Sequence, residues 1–98
     1  MKLENEKALI RTIAEGNTKS FEVLFYSYYP RLKGFICDLL QSPEEAEDIS
    51  QDIFTTLWQN RTSLDKIDNI SAYLFRIAKN AVYRHIERNM LFKNYQQK

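Results

Sequence analysis

Apolar residues recur along most of this chain with the three-and-four spacing of one helix face. The clearest stripe is Phe21, Leu24, Phe25, Tyr28, Leu32, Phe35, Ile36 and Leu39, which predicts an amphipathic helix over about Lys19–Leu40. Pro30 falls inside it, removing one backbone donor and crowding the preceding turn, so a kink is expected there. The stripe keeps its phase across Pro30 and predicts one bent helix, not two. Ahead of it, Leu9, Ile10 and Ile13 share a face of a first helix, about Leu3 to Glu15. Gly16 supplies a stop, and Asn17 or Thr18 a cap for the next helix.

The third helix starts at Ser42-Pro43-Glu44-Glu45. Ser42 suits the N-cap, Pro43 the first helical position, and Glu45 the return half of a capping box. Ala46, Ile49, Ile53 and Leu57 form its inward face, widened by Phe54 and Trp58. Residues Arg61 to Asp68 lose the pattern and read as a loop. Asp68 or Asn69 then caps a fourth helix from Ile70 to Asn89 or beyond, with Ile70, Leu74, Ile77, Ala78, Ala81, Val82 and Ile86 facing inward. Residues from Phe92 to Lys98 are expected to fray or to begin a linker. No strand-like alternation competes, so the expected fold is all-α, a small bundle of about four helices.

Composition agrees with this reading. Two Gly and two Pro in 98 residues are few against an average usage of about 12% combined, so turns are scarce. No run of about 18 apolar residues could span a membrane, and no apolar segment near Met1 reads as a signal peptide. One cysteine, Cys37, allows no disulfide within the chain and fits a reducing cytoplasm. Its neighbours Phe35, Ile36 and Leu39 suggest a buried structural thiol.

Catalytic chemistry has little to work with. One His, one Cys and no glycine-rich phosphate loop leave no constellation for nucleophilic, acid–base or metal catalysis. His85, between Arg84 and Ile86, reads as a surface or half-buried residue. No enzyme, metal site or cofactor is expected.

Charge changes the picture more. The net charge of +1 hides an uneven distribution. Residues 41–68 hold two Lys/Arg against seven Asp/Glu, and residues 69–98 hold six against one. Acidic and basic segments side by side suggest two different partners. On the third helix Asp48, Gln51, Asp52, Thr55 and Gln59 make an acidic, amide-bearing outer face suited to a basic surface. On the fourth, Tyr73, Arg76, Asn80, Tyr83, Arg84 and Glu87 share a stripe flanked by Lys79. Rings that stack on bases, cations that follow phosphates and an amide that reads base edges are the groups that single-stranded nucleic-acid sites use. Charge patterning alone is equally compatible with two solvated helix faces.

Three segments carry a family resemblance. Ser20-Phe21-Glu22-Val23-Leu24-Phe25-Tyr26-Ser27-Tyr28-Tyr29-Pro30-Arg31-Leu32 resembles the opening motif of extracytoplasmic-function (ECF) sigma factors of the sigma-70 family. Ala46-Glu47-Asp48-Ile49-Ser50-Gln51-Asp52-Ile53-Phe54-Thr55-Thr56-Leu57-Trp58 resembles their second signature, and Ala72-Tyr73-Leu74-Phe75-Arg76-Ile77-Ala78-Lys79-Asn80 their third. Tyr73 stands where the family usually has Trp. The resemblance covers nearly the whole chain and implies a region-two, promoter-melting domain over residues 1–94. Residues 95–98 would start a linker to a C-terminal helix-turn-helix domain that is absent from these residues.

The resemblance implies a cytoplasmic transcription initiation factor with three partners: the RNA polymerase core, promoter DNA and an anti-sigma factor. The clamp helices of the polymerase largest subunit would meet Asp48, Gln51 and Asp52, with Thr55 and Gln59 at the edge. The non-template strand of the −10 element would be captured by the Asn60–Ser71 loop and the fourth helix. The residues so implicated are Asn60, Arg61, Leu64, Asp65, Lys66, Asn69, Ser71, Tyr73, Arg76, Lys79, Asn80, Tyr83 and Arg84. The competing reading is a helical protein–protein interaction module, or regulator subunit, without a nucleic-acid role.

Overall fold

The computed structural model describes residues 6–96. Four α-helices, α1 (Glu6–Ala14), α2 (Thr18–Leu40), α3 (Pro43–Gln59) and α4 (Ile70–Gln96), are joined by short connections, with one 3-10 helix, Arg61–Lys66, between α3 and α4. The expected all-α bundle is what forms. The helix starts and stops follow from local chemistry. After α1 the Gly16 N–H donates to the Ile13 carbonyl and the Asn17 N–H to the Thr12 carbonyl, a Schellman closure. Gly16 sits at φ +99°, where a side chain would be strained. Asn17 then caps α2 by accepting from the Ser20 N–H at 2.9 Å.

Ser42 caps α3 as expected, its hydroxyl accepting from the Glu45 N–H. The return half of the capping box is not what Glu45 supplies. Its carboxylate instead reaches His85 of α4, with Oε1 3.3 Å from Nε2. The pair ties the first turn of α3 to α4 and leaves the His85 side chain only 20% exposed. Asn69 caps α4, accepting from the Ala72 N–H.

The core is built on α2, which packs against α1, α3 and α4. Leu24, Tyr28, Leu32 and Ile36 form its buried stripe. They meet Ile10 and Ile13 of α1, Ala46, Ile53, Phe54 and Leu57 of α3, and Ile70, Leu74, Ala78 and Val82 of α4. Each fully buried aliphatic side chain contributes about 1.5–3 kcal/mol over its exposed state. An aromatic tier joins α2 to α3. Phe21 lies 5.1 Å from Trp58, and Phe25 lies 5.1 Å from Phe54, ring centre to ring centre.

α2 runs unbroken through Pro30, which is exposed, so the lost donor affects one solvent-side turn. Leu39 and Ile86, both expected inside, are 49% and 37% exposed. Leu39 lies in the last turn of α2, and Ile86 lies beyond Val82, the last buried residue of α4 among the described ones. Cys37 is half-buried. Among the described residues Ser50 is the one buried small polar side chain, at a position between Ala46 and Ile53, with no hydrogen-bond partner for its hydroxyl. A hydroxyl left so costs about 1–3 kcal/mol.

Where a loop was expected, Arg61–Lys66 forms the 3-10 helix. It packs on α1 through Leu64, which is 2% exposed. The fourth helix extends past Asn89 to Gln96, through positions where fraying was expected; residues 97 and 98 lie outside the described ones, as does the predicted start of α1 at Leu3.

Tyr28 shows how α1, α2 and α4 are tied together. Its buried hydroxyl donates to Glu6 Oε2 at 3.2 Å, with Ser71 and Arg31 close by. Burial, and then the Glu6 carboxylate, push the phenol above its usual range, while Arg31 and Ser71 act in the opposite direction.

Candidate nucleic-acid interface

A groove of about 500 Å³ runs between α3, the 3-10 helix and α4. Its floor is apolar, with Ile53, Leu57, Leu64, Ile67, Ile77 and Ala81. Its lips are polar. Asp52 and Thr56 stand on the α3 side, Asn60 and Ser63 where α3 passes into the 3-10 helix, and Arg84, Glu87 and Arg88 on α4. Tyr73 lines it near the start of α4, half-buried against the core. The physical basis is helix periodicity: residues 73, 77, 81, 84 and 88 share one face of α4 and so look into one groove.

The expected strand-binding residues divide into three groups. Asn60, Leu64, Tyr73 and Arg84 are brought together around the groove, with Leu64, a core residue, in its floor. Arg76, Lys79, Asn80 and Tyr83 are exposed on the adjacent strip of α4. There the Arg76 guanidinium lies 5.6 Å from the Tyr73 ring centre and the Lys79 ammonium 5.9 Å from that of Tyr83. Each is a cation held beside a ring, at a spacing that suits a phosphate next to a stacked base.

The third group, Arg61, Asp65, Lys66, Asn69 and Ser71, does not line the groove. Ser71 is half-buried and turned to Tyr28. Arg61 is half-buried, its guanidinium 4.3 Å above the Trp58 ring, with Nη1 donating to the Trp58 carbonyl at 3.0 Å. Asn69 spends its side-chain carbonyl on capping α4, and Asn60 donates from its amide to the Thr56 carbonyl at 3.1 Å. Asp65 and Lys66 are exposed, and Asp65 lines a separate cleft of about 320 Å³ beside α1.

On α3, Asp48, Gln51, Asp52, Thr55 and Gln59 are all exposed. Gln51 donates to the Glu47 carboxylate at 3.3 Å. Asp52 belongs both to this acidic face and to the lip of the groove, so the two surfaces are contiguous. Among the described residues no cluster of His, Cys, Asp or Glu could hold a metal ion.

Sequence reasoning missed Thr56, Arg88 and Leu91 as groove residues, and covered Ser63 and Ile67 only as part of the Asn60–Ser71 loop without naming them. Arg88 had a readable signal, one helical turn beyond Arg84. Ser63 and Ile67 had none, since their direction depends on a 3-10 helix that no periodicity announces.

Residues 24–91 match the family model for Sigma-70 region 2. The chain belongs to this family, of the ECF type. Two curated sigma factors are similar to it. The ECF RNA polymerase sigma factor RpoE of Cereibacter sphaeroides is 31% identical over 75 residues, which cover 74% of this chain and 41% of the relative. The RNA polymerase sigma-H factor of Pseudomonas aeruginosa is 23% identical over 83 residues, 85% of this chain and 43% of the relative. The chain therefore spans less than half the length of either relative. No solved structure gave a significant match. The match to the region-two model begins inside α2 and ends at Leu91, so it takes in the acidic face, the groove and the basic strip. No helix among the described residues is long and apolar enough to cross a membrane.

Proposed function

We propose that this sigma region-two domain docks on RNA polymerase through the acidic face of α3 and captures the opened non-template strand of a promoter −10 element along α4. The docking surface would comprise Asp48, Gln51 and Asp52, with Thr55 and Gln59 at its edge, facing the clamp helices of the largest subunit. The strand would lie on Arg76, Lys79, Asn80 and Tyr83, with a base entering the groove between Tyr73, Asn60 and Arg84. The observation that carries this reading is the groove itself, an apolar slot with an aromatic wall and polar lips that carry Arg84 and Arg88 as well as Asp52 and Glu87, beside an exposed basic strip.

The domain would carry out no bond chemistry. Flipping a base out of the stack costs a few kcal/mol. Stacking returns about 1–3 kcal/mol per captured base, and the cations add salt-sensitive backbone binding. Opening is then a population shift, because the protein binds the separated strand better than the duplex. Work in the cytoplasm, and restraint by an anti-sigma factor, belong to the same proposal.

The apolar floor would also receive an amphipathic segment of a protein partner, which is the reading of a helical interaction module. Substitutions on the strip separate the two. Asn80→Ala should change base preference on a −10-like single strand, whereas Lys79→Ala should weaken all sequences alike. Reversing charge at Asp48 and Asp52 should abolish pull-down of a clamp-helix fragment with the helical circular dichroism unchanged. Strand binding untouched by both α4 changes would remove the strip from the site, and unchanged pull-down would move docking to another face.

A further inference from the structure

Arg61 begins the 3-10 helix, and a cation at that point of the sequence reads as a strand contact. Its surroundings are those of a clamped side chain. The guanidinium lies 4.3 Å above the ring of Trp58, and Nη1 donates to the Trp58 carbonyl at 3.0 Å. Nε is buried and has no hydrogen-bond partner. A Cβ built on Gly16 would lie 3.9 Å from that Nε, so the side chain runs beneath the turn between α1 and α2. Trp58 in turn packs on Phe21 at 5.1 Å.

The consequence lies a few residues on. The 3-10 helix rests on α1 and contributes Ser63 and Leu64 to the groove opposite Tyr73 and Ile77, with Ile67 just after it. Six residues of 3-10 geometry hold their position poorly by themselves, since their hydrogen bonds are strained. Leu64 anchors the middle and Asn69 the far end, where it caps α4. Arg61 fixes the near end. A planar guanidinium can stack on a ring and bond a carbonyl at once, which the point charge of lysine does not reproduce.

We infer that Arg61 is a positioning residue: by locking onto Trp58 and the Gly16 turn it sets the 3-10 wall of the groove, and through that wall the choice of base, without itself contacting the strand. This rests on the strand reading of the groove. A phosphate contact and a positioning residue behave differently on substitution by lysine. The first needs only charge, and the second needs the shape.

The test is a titration of the 98-residue chain with two labelled single strands, one −10-like and one altered at the base to be captured, at several salt concentrations. Arg61→Lys and Arg61→Ala are compared with the unsubstituted chain. Both variants should leave the slope of log affinity against log salt unchanged and cut the affinity ratio between the two strands by about tenfold, the scale of one lost base-reading contact. Trp58 is the only tryptophan, so its emission in the strand-free chain should shift in both variants. In a Trp58→Leu background, Arg61→Lys should have no further effect on the ratio. The inference is overturned if Arg61→Ala lowers the salt slope by about one while Arg61→Lys restores slope and ratio. It is also overturned if the Trp58 and Arg61 effects simply add. An unsubstituted chain that binds neither strand in a salt-dependent way would instead overturn the strand reading itself.

Discussion

The two halves of α4 are one continuous helix under opposite constraints. From Ile70 to Val82 every third or fourth residue is buried: Ile70, Leu74, Ala78 and Val82 are each no more than 1% exposed. From Ile86 to Leu91 every residue is exposed, Met90 and Leu91 to 59% and 67%. The first half is held by the core. The second is held by its continuity with the first and by the contact of His85 with Glu45. An isolated helical segment of this length would be marginal in water. What the difference teaches is that stability and recognition are separated along the helix. The buried positions of the first half fix the direction in which Tyr73, Arg76 and Asn80 project, and substitutions beyond Val82 can alter the surface with little effect on folding.

The largest effect should come from the buried half. Leu74→Ala is expected to cost about 2–5 kcal/mol, read as a fall in the urea midpoint with the slope unchanged. A loss below about 1 kcal/mol would mean that α4 is not held by this stripe. Next in size is the cap that starts α3 opposite the His85 pair, where Ser42→Ala should cost about 1 kcal/mol in the same assay.

Tyr28→Phe should cost about 0.5–1.5 kcal/mol at neutral pH, through the hydrogen bond to Glu6. It also has a pH signature. The folded phenol titrates above 10.0, so both states keep the proton below that pH and the unfolded chain loses it first above. Stability should therefore fall as pH rises through about 10 toward the folded value. The Phe variant should lack that part of the decline. Smallest of all, Ile86→Ala in the exposed half should change stability by less than about 0.5 kcal/mol. A cost near that of Leu74→Ala would erase the contrast between the halves.

How far the sequence revealed this depended on how local the determining physics was. The α2 stripe was legible because its apolar period persists for nineteen residues, Phe21 to Leu39, and keeps phase through Pro30. The caps were legible, Ser42 outright and Asn17 and Asn69 each as one of two neighbouring candidates, because each is decided within three residues of chain. Burial of Ser50 was only half legible: its place between Ala46 and Ile53 marks it as inward, but its side chain argues the reverse. The 3-10 helix was not legible, since six residues carry no period. Leu64, a lone large apolar residue among the polar residues of that segment, is the one local clue to its anchor. The reach of Glu45 to His85 could not have been read, because the two are forty residues apart and meet only once α3 packs on α4.

The candidate site followed the same rule. The basic strip of α4 came from spacing on one helix and is exposed as expected, whereas the groove needs three elements in place and was seen only in part. Arg61 was within reach of local reasoning, being one turn from Trp58.

The central claim, that the groove and the basic strip together take a single strand, is tested most directly by titrating this chain with a labelled −10-like single strand and with its duplex at several salt concentrations. The account predicts that the single strand binds more tightly than the duplex, that log affinity falls linearly with log salt, and that Tyr73→Ala weakens single-strand binding by the roughly 1–3 kcal/mol of one stacked base. Equal affinity for strand and duplex, with no response to Tyr73→Ala, would contradict it.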